Sequence, residues 1–219
     1  MALRAYEAVL RPGEGYYEEK RSRFFSFVMP AGSEEEVLLQ AAALKKKYYD
    51  CSHVCYAFRL NTVPLTEKYT DAGEPSGTAG LPMLNVLRGS GALNAAVFVI
   101  RYFGGTKLGT GGLSRAYSSA AADAVNDSTI LLKQPGGIYT LSCDYSRLGK
   151  LQYMLKEEGL PVLETVYTDS VGIRFLLPDE KAGSFMKRSM DAFSGRLSAE
   201  KEKEVLFVTD DGKTEIFDD

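Results

Sequence analysis

The chain has 219 residues, of which 45% are hydrophobic and 25% are charged, and its net charge is −3. These values are typical of a soluble globular protein and exclude a disordered chain, a collagen-like repeat and a coiled coil. No apolar run reaches the length of a membrane span, no signal sequence opens the chain, and its 3 cysteines do not suggest a disulfide framework. We therefore expect a cytoplasmic protein, not bound to membrane, with one large or two small domains.

The charges are unevenly distributed along the chain. Residues 1–133 contain 15 Lys and Arg residues against 13 Asp and Glu residues, whereas residues 134–219 contain 11 against 16. No carboxylate lies between Glu74 and Asp123. The cations of that window are Arg88, Arg101, Lys107 and Arg115. Such a window produces a local positive field whatever the net charge of the chain is.

The first part of the chain mixes strand and helix signals. Strands are predicted over residues 3–7, 18–29, 52–60 and 95–103. Helices are predicted over residues 34–49, 78–88 and 113–125. The continuous apolar run of residues 95–103 is typical of a strand that is buried on both faces. Ser33, which precedes three glutamates, is the expected N-cap of the first helix.

The second part of the chain has a regular order. The Pro-Gly-Gly segment at residues 135–137 predicts a hinge, so we place the domain boundary between residues 134 and 135. The elements that follow are expected at residues 137–145, 145–158, 161–168, 170–177, 179–193 and 204–209. Their order, βαββαβ, is that of the ferredoxin-like fold. The sequence thus predicts an α+β protein with domains at 1–134 and 135–219.

A glycine-rich segment joins the buried strand to the next helix. Residues 104–112 include five glycines, whose exposed backbone N–H groups at a helix N-terminus would favour an anion. The segment is not a Walker A loop, because Thr110 follows Gly109 where that loop has lysine. The candidate phosphate-binding or nucleic-acid-binding residues are Arg101, Gly104, Gly105, Lys107, Gly109, Gly111, Gly112 and Arg115. The alternative is that the glycines only permit a tight turn and close packing.

Two carboxylates and a serine lie in the loop before the second helix. Asp71 and Glu74 could hold Mg²⁺ or act as acid and base. The more favoured interpretation is that Asp71 starts a turn and that Ser76 or Thr78 caps the helix. A hydrolase triad of Ser76 with the single histidine and Asp71 lacks the Gly-x-Ser-x-Gly elbow that such enzymes use.

The single histidine, His53, lies between two cysteines. Alternation predicts that Cys51, His53 and Cys55 share one face of a strand, but this spacing is too wide for one tetrahedral zinc ion. We therefore expect no metal and no cofactor. His53 is then either a ligand-binding group or a structural histidine.

Aromatic residues flank the glycine-rich segment, as in proteins that bind single-stranded nucleic acid. They are Tyr102, Phe103 and Tyr117. Bases could stack on these rings beside a positive groove, or the rings could belong to the core. No RNP signature, zinc finger or basic helix supports general nucleic-acid binding, so a contact through one face is the remaining form of this hypothesis.

Three segments together resemble the IMPACT family, and in particular its bacterial, YigZ-type members. They are residues 53–59, 71–83 and 101–113, and residues 20–24 resemble the family's opening. The resemblance covers residues 18 to 125, and the C-terminal half is similar in layout to the small domain that bacterial members append. It implies a first domain like domain 2 of ribosomal protein S5 and a second like domains III and V of elongation factor G. Eukaryotic members regulate translation.

The resemblance implies a candidate surface of His53, Asp71, Glu74 and Ser76 beside the glycine-rich segment. Our first hypothesis is a non-enzymatic, translation-associated regulator that contacts RNA or the ribosome through the glycine-rich cationic face. The alternative is an enzyme or binding protein for a small phosphorylated ligand, held between His53, Asp71 and Glu74 and the glycine-rich segment. A third possibility is an adaptor in which these motifs only stabilise the fold.

Overall fold

The computed structural model describes residues 3–194, 196–210 and 212–217. The chain divides into two units. The first is Tyr6–Leu132, and the second is Lys133–Asp219 together with Met1–Ala5. Each unit combines helices with its own antiparallel sheet, which confirms the predicted α+β class and the two-domain organisation.

The first unit is built on a five-stranded sheet. Strand β1 (Tyr6–Arg11) lies in this unit but outside that sheet, whose strands are β2 (Gly13–Glu19), β3 (Ser22–Pro30), β4 (His53–Leu60), β5 (Thr66–Thr70) and β6 (Ala95–Tyr102). Its helices are α1 (Glu34–Lys47), α2 (Gly80–Gly89) and α3 (Gly109–Asp127). The strands of the antiparallel sheet follow the order β2-β3-β6-β4-β5, which places β6 at the centre.

Helices cover both faces of this sheet. All residues of β6 except Tyr102 are buried, which confirms the expectation of a strand enclosed on both sides. On one face, α2 and α3 contribute Met83, Leu87 and Ala120 to the larger core. On the other, Val37 and Leu44 of α1 pack against the sheet. We call these the α2/α3 face and the α1 face, and the first of them carries the candidate site.

The start of the chain differs from the prediction. In place of one strand over residues 18–29, β2 and β3 form a hairpin whose two-residue turn is Lys20-Arg21. Both turn residues have positive φ, 47° and 64°. Turns of this kind usually contain glycine or asparagine, so the sequence carried no recognisable signal. Ser33 caps α1 as predicted, because its side chain accepts a hydrogen bond from Glu36 N at 3.1 Å.

The glycine-rich segment is partly helical. Since α3 begins at Gly109, the glycines at 109, 111 and 112 belong to its first turn and not to a loop. Only residues 103–108 connect β6 to α3. The helix was predicted to begin at Leu113, because glycine has a low helix propensity.

The second unit has the ferredoxin-like arrangement. Its strands are β7 (Thr129–Cys143), β8 (Val162–Tyr167), β9 (Val171–Pro178), β10 (Ser198–Asp210) and β11 (Lys213–Phe217), and its helices are α4 (Leu148–Glu157) and α5 (Asp179–Ala192). The antiparallel order β10-β7-β9-β8 is the one that a βαββαβ unit forms, which confirms the prediction. Strand β11 extends the sheet beyond β10 where a tail was expected.

The predicted hinge is wrong. Residues 135–137 lie inside β7, where Gly136 pairs with Pro178 on one side and Val205 on the other. A Cβ atom at Gly136 would lie 2.8 Å from the carbonyl oxygen of Leu177. Glycine is therefore required here by close packing within a sheet and not by a bend in the chain.

Candidate functional site

A buried group of polar side chains lies on the α2/α3 face. Glu74 Oε1 accepts hydrogen bonds from Arg101 Nη1 at 2.6 Å and from the Tyr117 hydroxyl at 2.8 Å. His53 Nε2 lies 3.9 Å from the same oxygen. We call these four residues the ionic cluster. The side chains of Arg101 and Glu74 are only 6% and 3% exposed, so each charge is compensated by the other and not by water.

Strand register brings the cluster together. His53 and Arg101 are paired residues of β4 and β6, and paired residues point to the same face of a sheet. The loop between β5 and α2 supplies Glu74, and Ala72 of that loop approaches His53 Nδ1 with its carbonyl oxygen at 2.9 Å. The cluster therefore links β4 and β6 to α3, which supplies Tyr117, and to the loop that precedes α2.

Asp71 is a structural residue of that loop. Its carboxylate accepts hydrogen bonds from the backbone N–H groups of residues 77, 79 and 80, at 2.8, 2.9 and 2.8 Å, and so caps the start of α2. Burial alone would raise the pKa of Asp71, but these three donors outweigh it and hold the pKa below its usual value. Asp71 thus performs the capping that was expected of Ser76 or Thr78, and Ser76 is exposed.

Burial keeps two groups at the cluster in their neutral form: the Tyr117 hydroxyl, and the Cys55 thiol that lies 3.5 Å from it. Burial raises the pKa of the Cys55 thiol to about 12. Burial and the neighbouring Cys55 and Glu74 likewise raise the pKa of the Tyr117 hydroxyl. Neither group ionises at neutral pH, although ionisation is what makes a thiol reactive. The ionic members of the cluster are already paired, and their contacts join the loop before α2 to β6 and α3.

The cysteines do not lie as predicted. Cys51 precedes β4 and packs in the core of the α1 face, whereas Cys55 is buried on the α2/α3 face. The shared face expected for Cys51, His53 and Cys55 is therefore wrong, because the strand begins only at His53. Within residues 3–194, 196–210 and 212–217, no three His, Cys, Asp or Glu side chains are grouped to hold a metal ion.

Most of the remaining predicted residues form an exposed surface. Lys107 and Arg115 are exposed on either side of the start of α3, and Gly105, Gly109 and Gly111 are exposed between them. Gly112 is buried. Arg101 is separate from this surface, since it is enclosed in the ionic cluster.

Gly104 connects this surface to the β2–β3 turn. Its N–H donates to Ser22 Oγ at 3.1 Å, and a Cβ atom there would lie 2.1 Å from the carbonyl carbon of Arg21. Lys20 and Arg21 are exposed. They therefore extend the surface, which we define as residues 20–21 and 104–115 and call the cationic face. In the sequence, residues 20–24 stand out only by their resemblance to the family's opening, which does not indicate a turn.

Only one of the three flanking aromatic residues is exposed. Phe103 has 51% of its surface exposed. The Arg101 guanidinium lies 5.5 Å from its ring centroid. Tyr117 is fully buried, and the Tyr102 hydroxyl donates to Asp50 at 2.8 Å. Of the three, Phe103 alone is therefore placed to stack with a ligand in solvent.

The fold and the site define a two-domain α+β protein whose first domain has a cationic, glycine-rich face. Residues 20–125 match the Impact N-terminal domain, and residues 141–196 match a domain of unknown function, DUF1949. The chain belongs to the IMPACT family.

Relatives match over most of their length. The chain is 31% identical to the IMPACT family member YvyE of Bacillus subtilis, over 94% of each chain. It is 32% identical to the IMPACT family member YigZ of Escherichia coli, over 82% of this chain and 89% of YigZ. A crystal structure titled as that of a hypothetical protein is 30% identical, with a TM-score of 0.57, and covers 92% of this chain and 98% of its own. No helix among the described residues is long and apolar enough to cross a membrane.

Proposed function

We propose that this protein is a non-enzymatic, translation-associated regulator that contacts RNA or the ribosome through the cationic face. The observation that carries the proposal is the charge of that face. Lys107, Arg115 and Arg21 are exposed, and none of them forms an ion pair with another residue in the part of the chain that the structure describes. Cations without a carboxylate partner are available to phosphate groups. Such a role places the protein in the cytoplasm.

The backbone of the face supports the same proposal. Gly105, Gly109 and Gly111 lack side chains, so a phosphate could approach their N–H groups closely. Phe103, exposed at the edge of the segment, offers a ring on which a base could stack. Proteins that bind single-stranded nucleic acid combine positive charge with aromatic rings on which bases stack, and here Phe103 supplies the ring.

The alternative, a small phosphorylated ligand held by His53, Asp71 and Glu74, has less support. The Asp71 carboxylate already accepts three backbone hydrogen bonds, and Glu74 is neutralised by Arg101. A ligand there would have to displace contacts that hold the loop. A third hypothesis, that the motifs only stabilise the fold, accounts for Gly104 but not for the exposed Lys107.

Co-sedimentation with ribosomes at low and high salt tests the proposal. We expect salt-sensitive pelleting of the wild-type chain and its loss in Lys107→Glu, because phosphate contacts release counterions. Lys46→Glu is the matched control: Lys46 is exposed on α1, the substitution changes the net charge by the same amount, and pelleting should persist. Salt-insensitive pelleting, or equal loss in both variants, would contradict a role for this face.

A further inference from the structure

A groove opens between α2 and α3, at the side of the cationic face. Its volume is about 640 Å³, which is within the usual range for ligand sites. Helix α3 lines it with Ser114, Arg115, Ser118 and Ser119, helix α2 with Asn85 and Val86, and Tyr17 of β2 adds an aromatic side chain.

The groove combines hydrogen-bonding groups and one cation with the apolar side chains of Pro82 and Val86. No carboxylate lines it. The hydroxyl groups of Ser114, Ser118 and Ser119 form no hydrogen bond with another described residue, so their bonding capacity is free for a ligand. A serine hydroxyl both donates and accepts, which suits a sugar hydroxyl, and an arginine guanidinium suits a phosphate.

The placement of serine on α3 is selective. The buried side of this helix is rich in alanine, and every serine between Gly109 and Asp127 lines the groove. Ser114 and Ser118 are one turn apart and therefore lie on the same side of the helix. Alanine would favour the helix more than serine does, so helix formation does not account for serine at these positions.

We propose that the groove binds one ribonucleotide unit, with its phosphate on Arg115, its ribose 2′-hydroxyl on the α3 serines and its base against Tyr17 and Val86. The 2′-hydroxyl is the group that distinguishes RNA from DNA, so the groove gives the cationic face a preference for RNA. Where the nucleotide belongs to an RNA chain, this inference rests on the proposed function. A free mononucleotide presents the same chemistry.

Four probes separate these sources. They are a 12-nucleotide oligoadenylate of RNA, the same sequence in DNA, adenosine 5′-monophosphate and its 2′-deoxy form. We expect the full chain to bind each ribose form more tightly than its deoxy form, by about fivefold for each hydrogen bond to the 2′-hydroxyl. In the double variant Ser114→Ala, Ser118→Ala, the affinity for the ribose forms should fall to that for the deoxy forms, which should itself be unchanged.

Two controls accompany the variant. Alanine is compatible with the helix, so the melting temperature should not fall. Ser184→Ala makes the same change on helix α5 of the second unit and should leave the ribose preference intact.

Each outcome decides the proposal. If the wild-type chain binds RNA and DNA equally, or if the double variant keeps the preference, the groove proposal is overturned and the proposed function stands. If neither oligonucleotide binds but the serines determine a preference for the ribose mononucleotide, the groove proposal stands and RNA contact is overturned. If none of the four probes binds, the groove proposal and contact with free RNA are both overturned, and co-sedimentation decides ribosome contact separately.

Discussion

Arg101 Nη1 donates to Glu74 Oε1 over 2.6 Å, in a place where both side chains are almost excluded from water. The two residues are 27 positions apart in the chain. The bond ties the loop before α2 to the central strand β6, and Tyr117 of α3 donates to the same oxygen. One carboxylate oxygen therefore joins a loop, a strand and a helix.

Glu74→Gln should destabilise the chain strongly. The substitution leaves the Arg101 guanidinium buried without its counter-charge, which typically costs about 3–5 kcal/mol. Urea denaturation measures the loss. Lys68→Gln is the control, since it breaks an ion pair with Glu34 in which both side chains are about half exposed, and such pairs contribute about 0–1 kcal/mol. Equal losses in the two variants would show that the buried pair is not a major support.

Asp71→Asn should change how stability depends on pH. The folded-state pKa of Asp71 is depressed, so its contribution is fully present above the unfolded pKa, about 4, and is lost as the pH falls through the folded value. We expect the wild-type chain to be the more stable at pH 6 and the difference to shrink towards pH 2. Thermal melts across this range test the prediction, and a constant difference would contradict it.

Two glycines of the cationic face should respond oppositely to alanine. At Gly104 the new Cβ would collide with the backbone of residues 21 and 22, so the melting temperature should fall by several degrees. At Gly111 only the Arg115 side chain is near, at 3.8 Å, and alanine favours the helix by about 1 kcal/mol. Gly111→Ala should therefore melt at or above the wild-type temperature. Similar falls at both positions would mean that the glycines share one structural role.

Cys55 should resist alkylation in the folded chain. Burial raises its pKa to about 12, which leaves only a trace of thiolate at pH 8 and no access for the reagent. Mass spectrometry after iodoacetamide treatment should find Cys55 unmodified until urea unfolds the chain, whereas the partly exposed Cys51 reacts earlier. Rapid modification of native Cys55 would reveal an accessible thiol and contradict its burial.

Local patterns predicted much of the fold. The apolar run of β6, the Ser33 cap and the βαββαβ order each follow from residues that are adjacent in sequence. The Lys20-Arg21 turn and the strand at Gly136 do not follow from local patterns. The turn lacks the usual turn residues, and Gly136 is required by its close approach to Leu177, which is distant in the chain.

The candidate site was predictable only in part. The exposure of Lys107 and Arg115 agrees with a charge pattern visible in the sequence. The pairing of Arg101 with Glu74 is not visible there, because it depends on register between β4 and β6 and on the course of a loop. The charge pattern groups Arg101 with the other cations for that reason. Only the structure separates Arg88 and Arg101, which pair with Glu67 and Glu74, from the exposed Lys107 and Arg115.

The salt dependence of RNA affinity tests the central proposal most directly. For single strands, log K decreases with log salt, and the slope becomes shallower by about 0.7 for each phosphate contact that is lost. We predict a steep slope for the wild-type chain, a slope shallower by about that amount in Arg115→Gln, and no change in the control Lys46→Gln. A wild-type affinity that is independent of salt, or one that the Arg115 and Lys46 variants alter equally, would contradict RNA contact through the cationic face.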